Sequence, residues 1–483
     1  MASFLTDFAD RAGSAAQSLW AASSQLFEPT VRIGVTGLAR SGKTVFTTAL
    51  VHHLTEGSAL PAFRASAEGR IRRARLAHQP DDDVPRFPYE EHIASLVTAR
   101  GWPQSTTRIS ELRVHVDYER GSGWRSGPAT LALDIVDYPG EWLLDLALID
   151  ANFSDWSRQT IEASRRPARR DLASPWHAHL KILDPGGSAH EGVAAEASEV
   201  FKAYLAALRA GPEAVATTPP GRFLMPGDLA GSPALTFAPL DLPAGADIAP
   251  KTLASLMERR FEAYKTHVVR PFFRDHFQRI DRQIVLVDVL AAIDEGPTAL
   301  AELEEALDRV LMAFNAGRNT ILSRLFAPRA DRVLFAATKA DHVHHTSHDR
   351  LDRLLRVLVN RAVRRTEAAG ARVGTVALAS VRATRETSVR EGGEVLRAVA
   401  GTPEPGERIG DDVFDGETEA AVFPGDLPER AEAVLEGAVP PGSLRFPRFR
   451  PPRVPLDAAG RAGRLPQIRL DRALEFLLGD RLT

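Results

Sequence analysis

The stretch Gly37-Leu-Ala-Arg-Ser-Gly-Lys-Thr44 constrains this chain more than any other. It satisfies the phosphate-loop pattern G-x-x-x-x-G-K-[ST] at every fixed position, and its setting agrees. Val31-Arg-Ile-Gly-Val-Thr36 before it reads as a buried strand, and Val45 to Leu54 after it has helical apolar spacing. Gly37 and Gly42 let the backbone N–H groups of Leu38, Ala39, Arg40, Ser41 and their neighbours turn inward on phosphate oxygens. The helix beginning at Val45 adds positive potential. Lys43 is expected to reach the β- and γ-phosphates, and the Thr44 hydroxyl to ligate Mg²⁺. Such a loop belongs to an α/β fold with a mainly parallel sheet flanked by helices, the ligand lying at the carboxyl ends of the strands.

A phosphate loop alone fits ATP or GTP, so the choice rests on the later strand ends. Ala129 to Asp137 reads as an inner strand, and Asp137-Tyr-Pro-Gly140 after it matches D-x-x-G. There Asp137 is expected to hold a Mg²⁺ water, and the Gly140 N–H to sense the γ-phosphate. Arg332 to Ala337 reads as another strand, and Thr338-Lys-Ala-Asp341 after it matches [NT]-K-x-D. The Asp341 carboxylate can accept two hydrogen bonds from guanine N1 and the 2-amino group, a donor pair that adenine lacks. The Lys339 stem would lie along base and ribose, and Thr338 replaces the commoner Asn. A surface turn capping the next helix is the alternative reading of this motif. Ala379-Ser-Val-Arg382 ends a further strand, placing Ser380 and Val381 where a backbone contact to guanine O6 is expected. The switch threonine should precede the strand Leu112 to Tyr118; Ser105, Thr106 and Thr107 qualify, and Thr106 is the candidate for γ-phosphate and Mg²⁺. Arg40 or Arg108 could supply transition-state charge.

The rest of the chain suggests five regions. Residues 1–30 carry an amphipathic helix with the stripe Phe4, Phe8, Ala12, Ala15, Leu19 and Trp20. Residues 31–142 form the first part of the nucleotide core, within which 58–103 reads as a mobile, partly helical connection and 112–118 as an edge or half-exposed strand. Residues 143–280 read as a mostly helical insertion, and 281–400 as the second part of the core. Residues 401–483 form a Pro/Gly-rich arm ending in a short helix from Ile468 to Leu478. Arg445-Phe-Pro-Arg-Phe-Arg-Pro-Pro-Arg453 interleaves basic and aromatic residues, which fits an arm wrapping the domain better than a nucleic-acid patch.

The formal net charge of -3 offers no bulk attraction for nucleic acid, and none is expected as a partner. The chain has no cysteine, which excludes disulfides and thiolate chemistry. It shows neither a signal peptide nor an apolar run long enough to span a bilayer, so a cytoplasmic protein, peripheral at most to the inner membrane, is expected.

Five stretches together resemble the YcjX-like stress proteins, a bacterial P-loop NTPase family. They are Gly37 to Phe46, Asp137-Tyr-Pro-Gly-Glu-Trp142, Asp281 to Val289, Thr338-Lys-Ala-Asp-His-Val343 and Ile468 to Asp480. The resemblance implies a GTP/GDP-binding protein with Mg²⁺ and a GTPase-like core, acting as a nucleotide switch in envelope stress, often beside an integral membrane partner. An ATPase, or a nucleotide-stabilised scaffold with little hydrolysis, is the alternative. Small GTPases usually carry Gln after D-x-x-G, whereas this chain has Glu141. A carboxylate there repels the γ-phosphate unless protonated or turned away, so slow hydrolysis is expected, with Glu141 able to act as a base.

Two other chemistries are weaker. Asp134 and Asp137 have opposite strand parity, which argues against a paired-carboxylate hydrolase with Glu141. His342, His344, His345 and His348 could bind a metal, with His344 and His348 on one helical face, but histidines of a solvated loop entering a helix are the simpler account.

Overall fold

A computed structural model describes residues 29–38, 40–104, 108–121, 126–210, 218–243, 245, 247–312, 330–368, 370–409, 412–439 and 443–483. The expected helix of residues 4–27 and the switch candidates Ser105, Thr106 and Thr107 lie outside the described residues, as does Ala39. Among the described residues, no helix is long and apolar enough to cross a membrane.

One sheet contains β1 (Thr30–Gly37), β2 (Ile71–Ala77), β3 (Ser110–Arg120), β4 (Gly127–Asp137), β5 (Arg282–Val287), β6 (Arg332–Ala337) and β7 (Arg372–Ala377). Their order across it is β2-β3-β4-β1-β5-β6-β7. β1 pairs in parallel with β4 and β5, and β5, β6 and β7 continue in parallel. The β2–β3 and β3–β4 pairs are antiparallel. β1 is central because it can be buried on both faces: from Val31 onward every residue is buried. On one face Val31, Ile33 and Val35 pack with Phe46 and Leu50 of α1 (Lys43–Thr55). On the other, Gly34 leaves room for Gln283, whose Oε1 would lie 2.4 Å from a Cβ at that position.

The edge strand β2 corrects the reading of 58–103 as a partly helical connection. Arg72, Arg73 and Arg75 break the apolar alternation by which a strand is recognised, yet charged residues suit an exposed sheet edge. β3 alternates as expected but lies inside that edge, paired along Ile71–Ala77. The same region holds α2 (Tyr89–Val97).

Between β4 and β5 the described regular elements are helical: α3 (Phe153–Ser164), α4 (Pro167–Leu180), α5 (Glu191–Ala210), α6 (Leu253–Tyr264) and α7 (Arg270–Asp275), with short 3₁₀ and π turns. They share an aromatic core in which Trp156 stacks on Phe261 with centroids 5.0 Å apart, and Trp176 on Tyr204 at 5.0 Å. Fully burying one such side chain contributes about 1.5–3 kcal/mol. This core is continuous with the sheet face formed by Val136, Val285, Val287 and Phe335. The same face receives α8 (Val289–Glu295), α9 (Pro297–Met312) and α10 (His348–Leu358); α11 (Asn360–Ala368) leads to β7.

The second part of the core ends in a hairpin to which the C-terminal arm adds a strand. β8 (Arg385–Glu391) and β9 (Glu394–Gly401) form a hairpin, and the strand Ala420–Val422 pairs with β9. Gly392 and Gly393 both have positive φ (57° and 87°), which a two-residue turn of this hand requires. The chain ends in α12 (Leu470–Leu478), on the α1 face of the sheet. Arg282 anchors it, donating to the Leu477 carbonyl at 3.2 Å and to Asp480 Oδ2 at 2.9 Å.

Candidate nucleotide-binding site

The loop between β1 and α1 is wound so tightly that side chains are excluded. A Cβ at Gly37 would lie 2.4 Å from both Leu286 O and Ser41 Oγ. Arg40 and Gly42 take left-handed backbone conformations (φ 62° and 85°). Lys43 Nζ donates to the carbonyls of Gly37 (2.7 Å) and Leu38 (3.2 Å), which holds the ammonium over the loop and leaves a third N–H for an oxyanion. Thr44 Oγ1 lies 3.3 Å from Gln104 O, in the segment that leads towards β3.

The D-x-x-G turn closes directly on this loop. Asp137, at the end of β4, pairs in register with Val35 of β1, and its side chain is buried. A Cβ at Gly140 would lie 2.3 Å from Gly37 O, so only glycine lets the two turns touch. Asp134 faces away, held by Arg113 through two bonds of 2.6 and 2.8 Å. The turn is also tied to the helical region. Tyr138 Oη donates to Gln283 Oε1 (2.9 Å), and its ring meets Phe272 edge-on at 5.8 Å. The Arg222 guanidinium lies 3.6 Å over the Trp142 ring. Asp145, fully buried, accepts from Gly221 N (2.7 Å) and Tyr264 Oη (2.5 Å), and burial pushes its carboxyl up to about 6. Glu141 lines a small separate cavity with Leu205, Leu208 and Gly221.

On the other side of the phosphate loop, Lys339 has a left-handed backbone (φ 58°), and its ammonium pairs with Asp288 at the end of β5. Thr338 Oγ1 donates to Val287 O at 3.3 Å, which ties this turn to the end of β5. Asp341 is buried; its Oδ2 accepts from Ala383 N at 2.7 Å, and its carbonyl accepts from the Thr384 hydroxyl. The carboxylate therefore braces the loop after β7 and has other lone pairs to offer.

The phosphate loop, the T-K-x-D turn and the loop after β7 surround one cavity of about 310 Å³, which Asp137 and Gly140 do not line. Arg40, Gly42, Lys43, Thr44, Val45, Thr338, Lys339, Asp341, Ser380 and Val381 all line it. Leu38 and Ser41 line a neighbouring cavity of about 400 Å³, to which Arg40 and Lys339 also contribute. Arg108 is exposed and lines neither. Six further lining residues were not anticipated: Trp102, Pro103, His342, Glu404, Arg448 and Phe449. Trp102 Nε1 donates to Phe449 O at 2.6 Å, and the Phe449 ring meets His342 edge-on at 5.4 Å. Burial holds His342 below the usual imidazole range. The interleaved stretch Arg445 to Arg453 thus wraps the domain as expected, and one of its aromatics closes the cavity.

A model of the YcjX-like family (DUF463) matches residues 31–482. The Ras-like GTPase YcjX of Escherichia coli strain K12 is 36% identical over 469 residues, covering 94% of this chain and 96% of that protein. The Ras-like GTPase YcjX of Shewanella oneidensis strain MR-1 is 31% identical over 474 residues, covering 94% of each. With the family match running from the first sheet strand to the terminal helix, the chain belongs to the YcjX-like family.

Proposed function

We propose that this chain binds guanine nucleotide with Mg²⁺ and hydrolyses GTP slowly to GDP and phosphate, switching conformation between the two states. One observation carries the reading: the Asp341 carboxylate and the phosphate loop from Gly42 to Val45 line the same cavity. The remaining lone pairs of Asp341 suit guanine N1–H and the 2-amino group, whereas adenine offers those lone pairs no donor pair. The Lys339 stem and the rings of Trp102 and Phe449 offer the base apolar surfaces. The relatives' name, Ras-like GTPase, agrees with this assignment.

At the phosphate end the Thr44 hydroxyl and the Asp137 carboxylate are oxygen donors of the kind a hard cation takes, and they would hold Mg²⁺. When bound, the ion would neutralise charge on the β- and γ-phosphates. Lys43, already oriented by two carbonyls, would stabilise the same oxygens with little reorganisation. Thr106 is the proposed switch residue for the γ-phosphate and Mg²⁺. Gly140, touching Gly37, would register the γ-phosphate, and its displacement would pull on Trp142 and Asp145 and so on the helical region. Glu141 in place of Gln leaves no neutral side chain to orient the attacking water, which makes hydrolysis slow. A stress role beside an integral membrane partner rests on the family resemblance.

Thermal unfolding of the purified chain with GTP, GDP and ATP, each with Mg²⁺, tests the assignment. At a hundredfold excess over Kd, a native-state ligand stabilises by about 2.7 kcal/mol. GTP and GDP are expected to raise Tm well above ATP; equal shifts would return the site to a general nucleotide. Phosphate release in a single turnover then separates a slow GTPase from a binding scaffold.

A further inference from the structure

Seven residues past the end of β6, the chain carries a histidine pair that the nucleotide reading does not use. His344 and His345 precede α10, and Glu386 projects from β8, in the hairpin that follows the loop of Ser380 and Val381. One ligand atom from each of the three lies within 4.8 Å of the others. His345 Nδ1 is 2.8 Å from Glu386 Oε2, and His344 Nε2 is 4.0 Å from the same oxygen. Bonds of about 2.0–2.1 Å in a tetrahedral arrangement put ligand atoms about 3.3 Å apart, midway between these separations, so small side-chain rotations suffice.

The surroundings favour a ligand role over a chance cluster. His344 Nδ1 lies 3.0 Å from Thr346 Oγ1 and accepts from Thr346 N at 3.4 Å. Thr346 thereby fixes the ring from two atoms, with Nε2 on the side of Glu386 at 4.0 Å from Oε2. Glu386 and His345 stay accessible to solvent, which leaves room for water ligands. Arg382 approaches the other carboxylate oxygen at 3.6 Å, leaving Oε2 to the histidines.

We propose that His344, His345 and Glu386 bind a borderline divalent transition ion of the Zn²⁺ class. Two imidazoles and one carboxylate match that class better than Mg²⁺ or Ca²⁺, which take oxygen donors. The ion joins the segment after β6 to the start of β8. Asp341 already joins the same two stretches through Ala383 and Thr384, so the metal would be a second clamp between them. The site does not depend on which nucleotide the cavity holds.

The test uses the full chain, stripped with a chelator, free of nucleotide, and titrated with Co²⁺ while visible ligand-field absorption is followed. One equivalent is expected to produce bands of a low-coordinate ion, and Zn²⁺ to abolish them. Glu386→Gln and His345→Ala should each weaken binding at least about tenfold, whereas the exposed His190→Ala should titrate as wild type. Should His345→Ala fail to fold, the near-isosteric Glu386→Gln on an accessible side chain still decides the matter. Absence of Co²⁺ bands in wild type, or identical titrations for wild type and Glu386→Gln, would overturn the proposal.

Discussion

At the phosphate end of the cavity, one continuous turn between β1 and α1 supplies the lysine, the hydroxyl and the backbone donors. At the base end, the walls come from Thr338 to His342, from Ser380 and Val381, from Trp102 and Pro103, and from Glu404, Arg448 and Phe449. The first is held by its own backbone: Lys43 bonds the carbonyls of Gly37 and Leu38. The second is held by long-range bonds, such as Trp102 Nε1 to Phe449 O across 347 residues. A cradle made by local winding survives changes elsewhere, whereas an assembled pocket depends on the packing of everything that delivers it. Affinity for phosphate and choice of base should therefore respond to different substitutions.

Lys43→Ala should have the largest effect and should act on the phosphate end alone. Removing one partner of a desolvated charge contact costs about 2–5 kcal/mol, near the upper end where two phosphates are served. Calorimetry with a non-hydrolysable GTP analogue checks it; unchanged affinity would remove the phosphate loop from the site. Asp341→Asn comes next and should alter the base end in kind. The amide presents a donor against a guanine donor, costing roughly 2–4 kcal/mol, yet it can donate to the 2-oxo group of xanthine. Competition of GDP against XDP is the readout. A variant that is only less stable and still prefers guanine would reduce Asp341 to a loop brace.

Phe449→Ala sharpens the contrast further. Losing an aromatic wall should weaken GDP and GTP alike by about 2 kcal/mol, roughly thirtyfold, because it touches no phosphate. Stopped-flow release of a fluorescent nucleotide would show it; a loss confined to GTP would place Phe449 at the wrong end. A different effect, on stability instead of affinity, concerns the tie between the D-x-x-G turn and the helices. Burial raises Asp145 from 3.8 to about 6, so the native state holds its proton more tightly than the unfolded chain. The stabilisation from this group is complete below pH 3.8 and is lost as pH rises through about 6. Its contribution to the slope of stability against pH is at most ~1.4 kcal/mol per unit. Asp145→Asn should flatten urea-unfolding midpoints across that window, and an unchanged slope would mean the carboxyl titrates normally.

The phosphate loop, the D-x-x-G turn, the T-K-x-D turn and the strands that carry them were readable because each is a contiguous pattern with one geometric meaning. The β2 strand was not, since Arg72, Arg73 and Arg75 hide its alternation. The β8–β9 hairpin carried a readable signal in Gly392-Gly393, between two runs rich in charged residues that hid their alternation. Histidine spacing pointed to His344 with His348, because a helix was the only frame available; folding instead brings His344 and His345 to Glu386.

By itself the amino-acid order determined where backbone must turn without side chains, which strands are buried on both faces, and which acids end them. These depend on steric and hydrogen-bonding rules acting over a few residues. Only the tertiary structure decided that Phe449 and Trp102 close the cavity and that Gly140 rests on Gly37. It likewise decided that Asp145 joins the D-x-x-G turn to Gly221 and Tyr264. Such contacts arise when separate apolar faces are buried together, and no short-range pattern records which distant partner a buried face will meet.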